Sequence, residues 1–338
     1  MVTRKRQTSV NLPQGAMMRA MVQRGYGAAS VLTLEQIPRP APAPHQVLVQ
    51  VRSAGLDRGA WHIMTGKPYL LRLVFGLRTP RQPVSGQELA GTVVDVGTGV
   101  RGFRIGDEVF GIGAGAFAEY AVAREDKLAH KPPGVSSESA SIVPVSAVTA
   151  LQALREMGRV KAGQSVLVIG ASGGVGSYAV QLAKHFGAKT TGVCSTQKLD
   201  FVRSLGADQV VDYTTEDYSH AGRNYDLILD IGGNSSLHRL RGALRSKGTA
   251  VIIGGEGAGD WIGIGRQLRA VLMSPFISQN LRMFVAKERS ADLELLGGLV
   301  EAGVITPQLG GTYPLDQTPQ AMRRLEEGAV SGKLAVRV

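Results

Sequence analysis

The stretch "SVLVIGASGGVGSYAVQLAKHFG", residues 165–187, constrains the fold more than any other part of the chain. "SVLVIG" fits a buried strand, and "VGSYAVQLAKHFG" fits an amphipathic helix that stops at Gly187. The loop between them, Ala171-Ser172-Gly173-Gly174-Val175-Gly176, has the form A-x-G-x-x-G, with alanine where the first glycine usually stands. Gly173 lets the backbone approach a pyrophosphate, and Gly176 lets the helix pack close on the strand. The helix start aims unbonded N–H groups at phosphate oxygens. A glycine turn alone is a weak signal. Its place between strand and helix makes Ser172, Gly173, Gly174, Val175 and Gly176 a dinucleotide cradle.

The surrounding pattern supports that context. From about residue 138 onward, apolar runs and helical segments alternate: "KTTGVCS", "QKLDFVRSLG", "QVVDY", "YDLILDIGG", "SSLHRLRGALRSKG", "TAVIIGG". Such alternation gives parallel strands joined by right-handed crossovers, a doubly wound α/β domain. Ligands in such sheets bind at carboxyl strand ends, so Gly232, Gly233, Gly254 and Gly255 are expected to line the cleft. Residues 18–138 read differently. "QVLVQVRSAG" places Val47, Val49 and Val51 on one face, and glycine-broken short strands follow, as in a compact β-barrel. "DLELLGGLVEAG" and "TPQAMRRLEEGAVSG" read as helices, "KLAVRV" as a last strand, and 283–338 is expected to return to the first domain, leaving 139–282 as the nucleotide domain.

The residues after the second strand bear on which dinucleotide fits. NAD sites place an acid there, about 20 residues past the glycine loop, to grip the ribose diol. This chain has Cys194, Ser195, Thr196, Gln197 and Lys198, with Asp200 one turn into the next helix and facing away. Hydroxyls of Ser195 and Thr196 and the Lys198 ammonium suit a 2′-phosphate, which favours NADPH over NADH. The bland alternative for Lys198 is an exposed lysine at a helix start.

Composition excludes some classes. One cysteine, Cys194, makes neither an internal disulfide nor a cysteine-rich zinc site, which fits the reducing cytoplasm. No apolar run is long enough to span a membrane. The net charge is +11, part of it in Arg4-Lys5-Arg6 of a basic extension over residues 1–17, readable as a flexible arm or a brief presequence. Charge alone does not make a nucleic-acid binder, and no such module is present.

"SGQELAGTVVDVGTGVRGFRIGDEVFG", "GAFAEYAV", "VTALQAL", the glycine stretch, "LGADQVVDY" and "SGKLAVRV" together resemble the medium-chain dehydrogenase/reductase superfamily, in its zinc-independent, quinone oxidoreductase-like branch. The resemblance implies an α/β fold: a GroES-like β-barrel domain, a Rossmann domain and a C-terminal return. Zinc alcohol dehydrogenases of that superfamily carry Cys, His and a third ligand where this chain has Asp57, Gln87 and Val145. Catalytic zinc needs three protein ligands, so no metal is expected. His45 and His62 read as surface or packing residues.

The resemblance implies further roles. Thr149 would sit near the nicotinamide, or else bond back to its own helix. Asp57 falls where relatives carry Asn, and an ionised Asp cannot donate to an oxyanion; it could instead pair with Arg58. Tyr69 and Trp61 would wall the substrate site, Tyr213 would lie by the 2′-phosphate, and Lys333 would reach the cofactor from the tail. Phe276, Ile277 and Ser278 would touch the nicotinamide, and two copies would form a homodimer. The function expected is an NADPH-dependent reductase of quinones or α,β-unsaturated carbonyls. A zinc-free alcohol dehydrogenase or ketone reductase, and an NADPH-binding sensor or structural protein with little turnover, remain alternatives.

Overall fold

The computed structural model describes residues 15–219, 224–233, 235–254 and 265–338. Arg4, Lys5, Arg6, Gly255 and residues 257–264 lie outside the described residues.

An antiparallel ribbon opens the chain, β1 (Met17–Gln23) with β2 (Leu32–Pro38). β3 (Gln46–Leu56) follows, and its Val47, Val49 and Val51 are buried in one cluster with Leu56, Leu89 and Phe117. Helices α1 (Arg58–Thr65) and α2 (Arg72–Phe75) fill the connection to β4 (Glu88–Val96). β5 (Glu108–Ile112), β6 (Tyr120–Arg124) and β7 (Leu128–His130) complete the first pass. α3 (Ser137–Ser141) and α4 (Pro144–Gln152) lead out of it. Proline at the first position of α4 has its φ preset and no N–H to waste. Val148, Leu151 and Leu154 are all buried, and the helix ends in a π-helical turn, Ala153–Gly158.

The second sheet contains β8 (Ser165–Ile169), β9 (Lys189–Cys194), β10 (Gln209–Asp212), β11 (Tyr225–Asp230), β12 (Leu244–Ile252) and β13 (Asn280–Met283). Its helices are α5 (Gly174–His185), α6 (Leu199–Ser204), α7 (Leu237–Ala243) and α8 (Gly265–Met273). Every pairing is parallel, in the order β10-β9-β8-β11-β12-β13. Counted within the sheet, that is the doubly wound order, with its reversal between β8 and β11. One helix is shorter than the sequence suggests: α7 stops at Ala243, and Leu244 already pairs with Tyr225. The register then jumps to Leu227 against Thr249, and Lys247 absorbs the extra residues at φ 67°.

The chain closes with α9 (Ser290–Glu301), β14 (Leu309–Pro314), α10 (Thr318–Glu326) and β15 (Lys333–Arg337). β15 pairs antiparallel with β3, giving the first sheet the order β14-β15-β3-β4-β5-β7, with β6 also on β3. This register positions the site. Gly55 stands opposite both Glu88 and Ala335, and Leu56 stands opposite Leu334. One step further along, Asp57 and Lys333 each reach Glu88.

Candidate active site

Gly170, not position 171, makes the tight turn after β8, at φ 87°. The N–H groups of Gly170 and Ala171 both bond the Val193 carbonyl, at 3.1 and 3.0 Å. Gly173 is the N-cap of α5, and no side chain caps that helix. Its first backbone bond is from Ser177 N to Gly173 O, 2.9 Å, so the N–H groups of Gly174, Val175 and Gly176 open toward the cleft. A Cβ on Gly176 would lie 2.1 Å from the Gly170 carbonyl, whereas one on Gly173 would meet nothing closer than 3.6 Å. Gly176 is therefore a packing requirement and Gly173 an open floor. A backbone cradle of this shape, with N–H donors and a helix N-terminus, fits a pyrophosphate. Gly232 lies in the same crevice, its N–H on Ile169 O at 3.1 Å. Gly254 is tightly packed, since a Cβ there would lie 2.0 Å from Ile231 O. Beside it Arg266 pairs with the buried Asp230 and donates to Gly254 O at 3.2 Å. Burial pushes the Asp230 carboxyl up, and Arg266 offsets the shift.

At the end of β9, Thr196 donates to the Asp212 carboxylate, which also accepts from the Thr214 hydroxyl at 2.7 Å. Asp212 is the acid that a reading of the β9 end alone misses; it arrives from β10, which pairs Asp212 with Cys194. Those hydrogen bonds hold its carboxyl below the usual range. Lys198 donates to the carbonyls of Gly328 and Val330, at 2.8 and 2.9 Å, and so binds the tail loop. Its half-burial pulls its pKa down. Ser195 caps the short turn Thr196–Lys198 by its backbone, and Tyr213 is exposed next to Asp212. The tail also touches the cradle, where Gly332 N donates to Ser172 O at 2.8 Å.

On the barrel side, Lys333 donates to the Glu88 carboxylate, and both are buried. The Lys333 stem runs past Gly174, with its Cδ 3.6 Å from where a Cβ there would sit. Glu88 also accepts from Val145 N at 2.7 Å and shares a hydrogen bond with Asp57. Asp57 in turn caps α1 by accepting from Ala60 N at 2.7 Å. Burial pushes Glu88 up to about 8; Lys333 works against the shift and Asp57 adds to it. Glu88 and Lys333 are shut away from water with Asp57 half-buried beside them, and a proton on Glu88 leaves the three groups neutral overall. Sequence reasoning missed Glu88, whose partner is 245 residues away. Thr149 donates to Val145 O at 2.7 Å, so its hydroxyl proton is committed to its own helix and its lone pairs remain for a ligand. Ser146, one turn earlier on α4, sits 3.1 Å from a Cβ position on Gly174, which places this helix face on the cradle.

A cavity of about 540 Å³ opens beside the strand bearing Glu88, lined among others by Ile63, Val74, Phe75, Gln87, Ile112 and Glu288. Trp61 packs on the barrel core, and Tyr69 stacks on the Arg72 guanidinium 4.6 Å away. Phe276 and Ser278 correct an expectation. Asp230, Ile169, Ile252 and Met283 share the carboxyl level of the sheet, and Ser278 precedes Met283 by five residues, roughly 16 Å of strand. Ser278 O accepts from Lys247 N at the amino edge, and Phe276 is almost fully exposed beyond it. The parallel run of β13 thus carries both away from the nicotinamide end. Met283, opposite Ile252, is exposed at the carboxyl level, and the exposed Val285 follows two residues on.

Comparison with known proteins agrees with this architecture. Residues 43–133 match the alcohol dehydrogenase GroES-like domain, and residues 205–336 match a family described as zinc-binding dehydrogenase. A chloroplast envelope quinone oxidoreductase homolog of Arabidopsis thaliana is 31% identical, over 95% of this chain and 99% of its own length. The chain belongs to the medium-chain dehydrogenase/reductase superfamily, in its quinone oxidoreductase-like branch. The 2-methylene-furan-3-one reductase of Solanum lycopersicum is likewise 31% identical, over 97% of this chain and 81% of its own. The Escherichia coli quinone oxidoreductase solved with NADPH superposes with a TM-score of 0.83 at 25% identity, over 95% of this chain and 100% of its own.

The superfamily's zinc positions do not fit zinc here. Gln87 is a poor ligand and Val145 offers only hydrocarbon, its N–H already on Glu88. Among the described residues no group of three or more His, Cys, Asp or Glu could hold a metal ion. His62 pairs with the Lys67 carbonyl and His45 with Glu125.

Proposed function

We propose that this chain is an NADPH-dependent, zinc-independent oxidoreductase that delivers hydride to a quinone or an α,β-unsaturated carbonyl. One observation carries the reading: Asp57, Glu88 and Lys333 meet beside the glycine cradle, at the place where zinc would otherwise polarise the acceptor. Relatives named for quinone and furanone reduction support the substrate class. When bound, NADPH supplies the hydride from nicotinamide C4. Conjugation already makes such an acceptor electrophilic, so a Lewis acid is dispensable. The N–H groups of Gly174 to Gly176 hold the pyrophosphate, and Thr149 orients the nicotinamide end by accepting a hydrogen bond. Hydride addition at the β-carbon leaves an oxyanion. The proton that burial keeps on Glu88 passes to that oxygen along the Glu88–Asp57 hydrogen bond, and solvent then reprotonates Glu88. Glu88 thus supplies the proton that an ionised Asp57 lacks.

NADPH is preferred in this reading because Lys198 keeps a third donor for the 2′-phosphate, with Thr196 and Tyr213 beside it; Asp212 opposes that charge and limits the preference. Two copies pair through the outer edge of β13, which has no strand partner among the described residues. The enzyme works in the cytoplasm, where Cys194, buried and pushed up to about 11, stays an inert thiol. Residues 18–138 and 283–338 form the catalytic domain and 139–282 the cofactor domain.

The test is NADPH consumption with a panel of acceptors. Quinones and enones should turn over at least about tenfold faster than matched saturated ketones. Equal rates, or about one tightly bound zinc per chain whose removal abolishes turnover, would sink the reading.

A further inference from the structure

From Arg58 to Gln87 the chain carries Arg58, Lys67, Arg72, Arg78 and Arg81 and no acidic residue. In the middle of this basic run, Leu70, Leu73, Val74 and Leu77 are 42%, 61%, 63% and 68% exposed. Four large apolar side chains facing water within eight residues form a patch rather than scatter. The segment is held firmly from below. The Arg72 guanidinium lies 4.5 Å from the ring of Tyr26 and 4.6 Å from that of Tyr69, and its Nε donates to Gly66 O at 3.0 Å. The Tyr26 hydroxyl donates to Gly76 O at 2.6 Å, and Arg81 N to Phe75 O at 2.7 Å. The leucines are therefore presented outward on a braced loop. Its inner side, through Phe75 and Pro80, walls the cavity, with Val74 at the rim between the patch and the cavity.

We propose that residues 70–78 dock on an anionic lipid bilayer, with Leu73 and Leu77 in the acyl boundary and the arginines among the headgroups, so that a lipophilic acceptor passes from bilayer to cavity. Charge selects the occupant. Anionic headgroups complement the basic run, whereas a second copy on the same patch would set like charges face to face. The delivery step rests on the reductase reading; the docking surface does not.

The full chain is floated with vesicles of phosphatidylcholine, alone or mixed with phosphatidylglycerol, at low and high salt. Binding should require phosphatidylglycerol, weaken with salt, and fall about tenfold or more in L73D/L77D. That variant should keep turnover of a water-soluble quinone, which also shows that it folds. Absence of vesicle binding overturns the proposal. So does binding that L73D/L77D leaves intact and deletion of residues 1–14 removes. So does sedimentation in which L73D/L77D turns a lipid-free dimer into monomers. Vesicle binding through Leu73 and Leu77 without turnover of any quinone would uphold the docking surface and sink the reductase reading; turnover without vesicle binding would do the reverse.

Discussion

The cofactor side and the acceptor side of the cleft are built from different materials. The cofactor side is backbone: Gly170, Gly173 and Gly176 shape a floor, and helix α5 supplies unbonded N–H groups. The side that the proposed function gives to the acceptor is a knot of charge, Glu88 and Lys333 buried and Asp57 half-buried, drawn from three strand ends far apart in sequence. The difference predicts different failures. Damage to the floor acts through shape and removes binding. Damage to the knot acts through charge and removes turnover or stability.

The largest effect tests the floor. Gly176→Ala should abolish measurable NADPH binding and cost roughly 2–4 kcal/mol of stability, because its Cβ would press on the Gly170 carbonyl. Titration and thermal unfolding check both. Gly174→Ala, whose Cβ would meet the Ser146 hydroxyl at 3.1 Å and the Lys333 stem at 3.6 Å and no backbone, should be far milder. Equal losses would break the distinction between packing and open positions.

The knot comes next. Glu88→Gln should lower kcat on the order of 100-fold with the KM for NADPH nearly unchanged, the split expected when a proton source is lost and a binding site is not. Lys333→Met leaves the buried Glu88 carboxyl without its cation and should cost about 3–5 kcal/mol in denaturant unfolding. A raised KM with intact kcat in Glu88→Gln would move that residue to the cofactor side.

A middle-sized effect sharpens the ribose end. Lys198→Ala should weaken NADPH roughly tenfold and NADH hardly at all, whereas Asp212→Asn should tighten NADPH a few-fold by removing the opposing charge. Parallel losses for both coenzymes in Lys198→Ala would show that its bonds to Gly328 and Val330 are its whole role.

The two sides also differ in how far sequence reveals them. The cradle, the alternation of Val47, Val49 and Val51, and the parallel order are local patterns, so residue spacing discloses them. The turn at Gly170 was one residue out of view because alanine occupied the expected glycine position. Glu88 stayed hidden because nothing near it in sequence announces Lys333, and Asp212 because it enters from a neighbouring strand. Phe276 and Ser278 were misplaced for a related reason. The apolar run around β13 does not disclose where the strand starts, and that start decides which end of the sheet each residue reaches. The smallest effect follows. Phe276→Ala should change neither kcat nor KM by more than about twofold, whereas Met283→Ala should alter nicotinamide affinity measurably.

The pH dependence of kcat with an enone at saturating NADPH tests the Glu88 proton most directly. Burial holds the Glu88 proton in the native state up to about 8, where an unfolded chain would already have lost it. Stability should therefore decline as pH rises from the ordinary carboxylate range toward about 8, and kcat should fall as pH passes through about 8. That limb should vanish in Glu88→Gln, leaving a low, flat profile. An unchanged limb in Glu88→Gln, or a wild-type profile flat across that range, would contradict proton donation by Glu88.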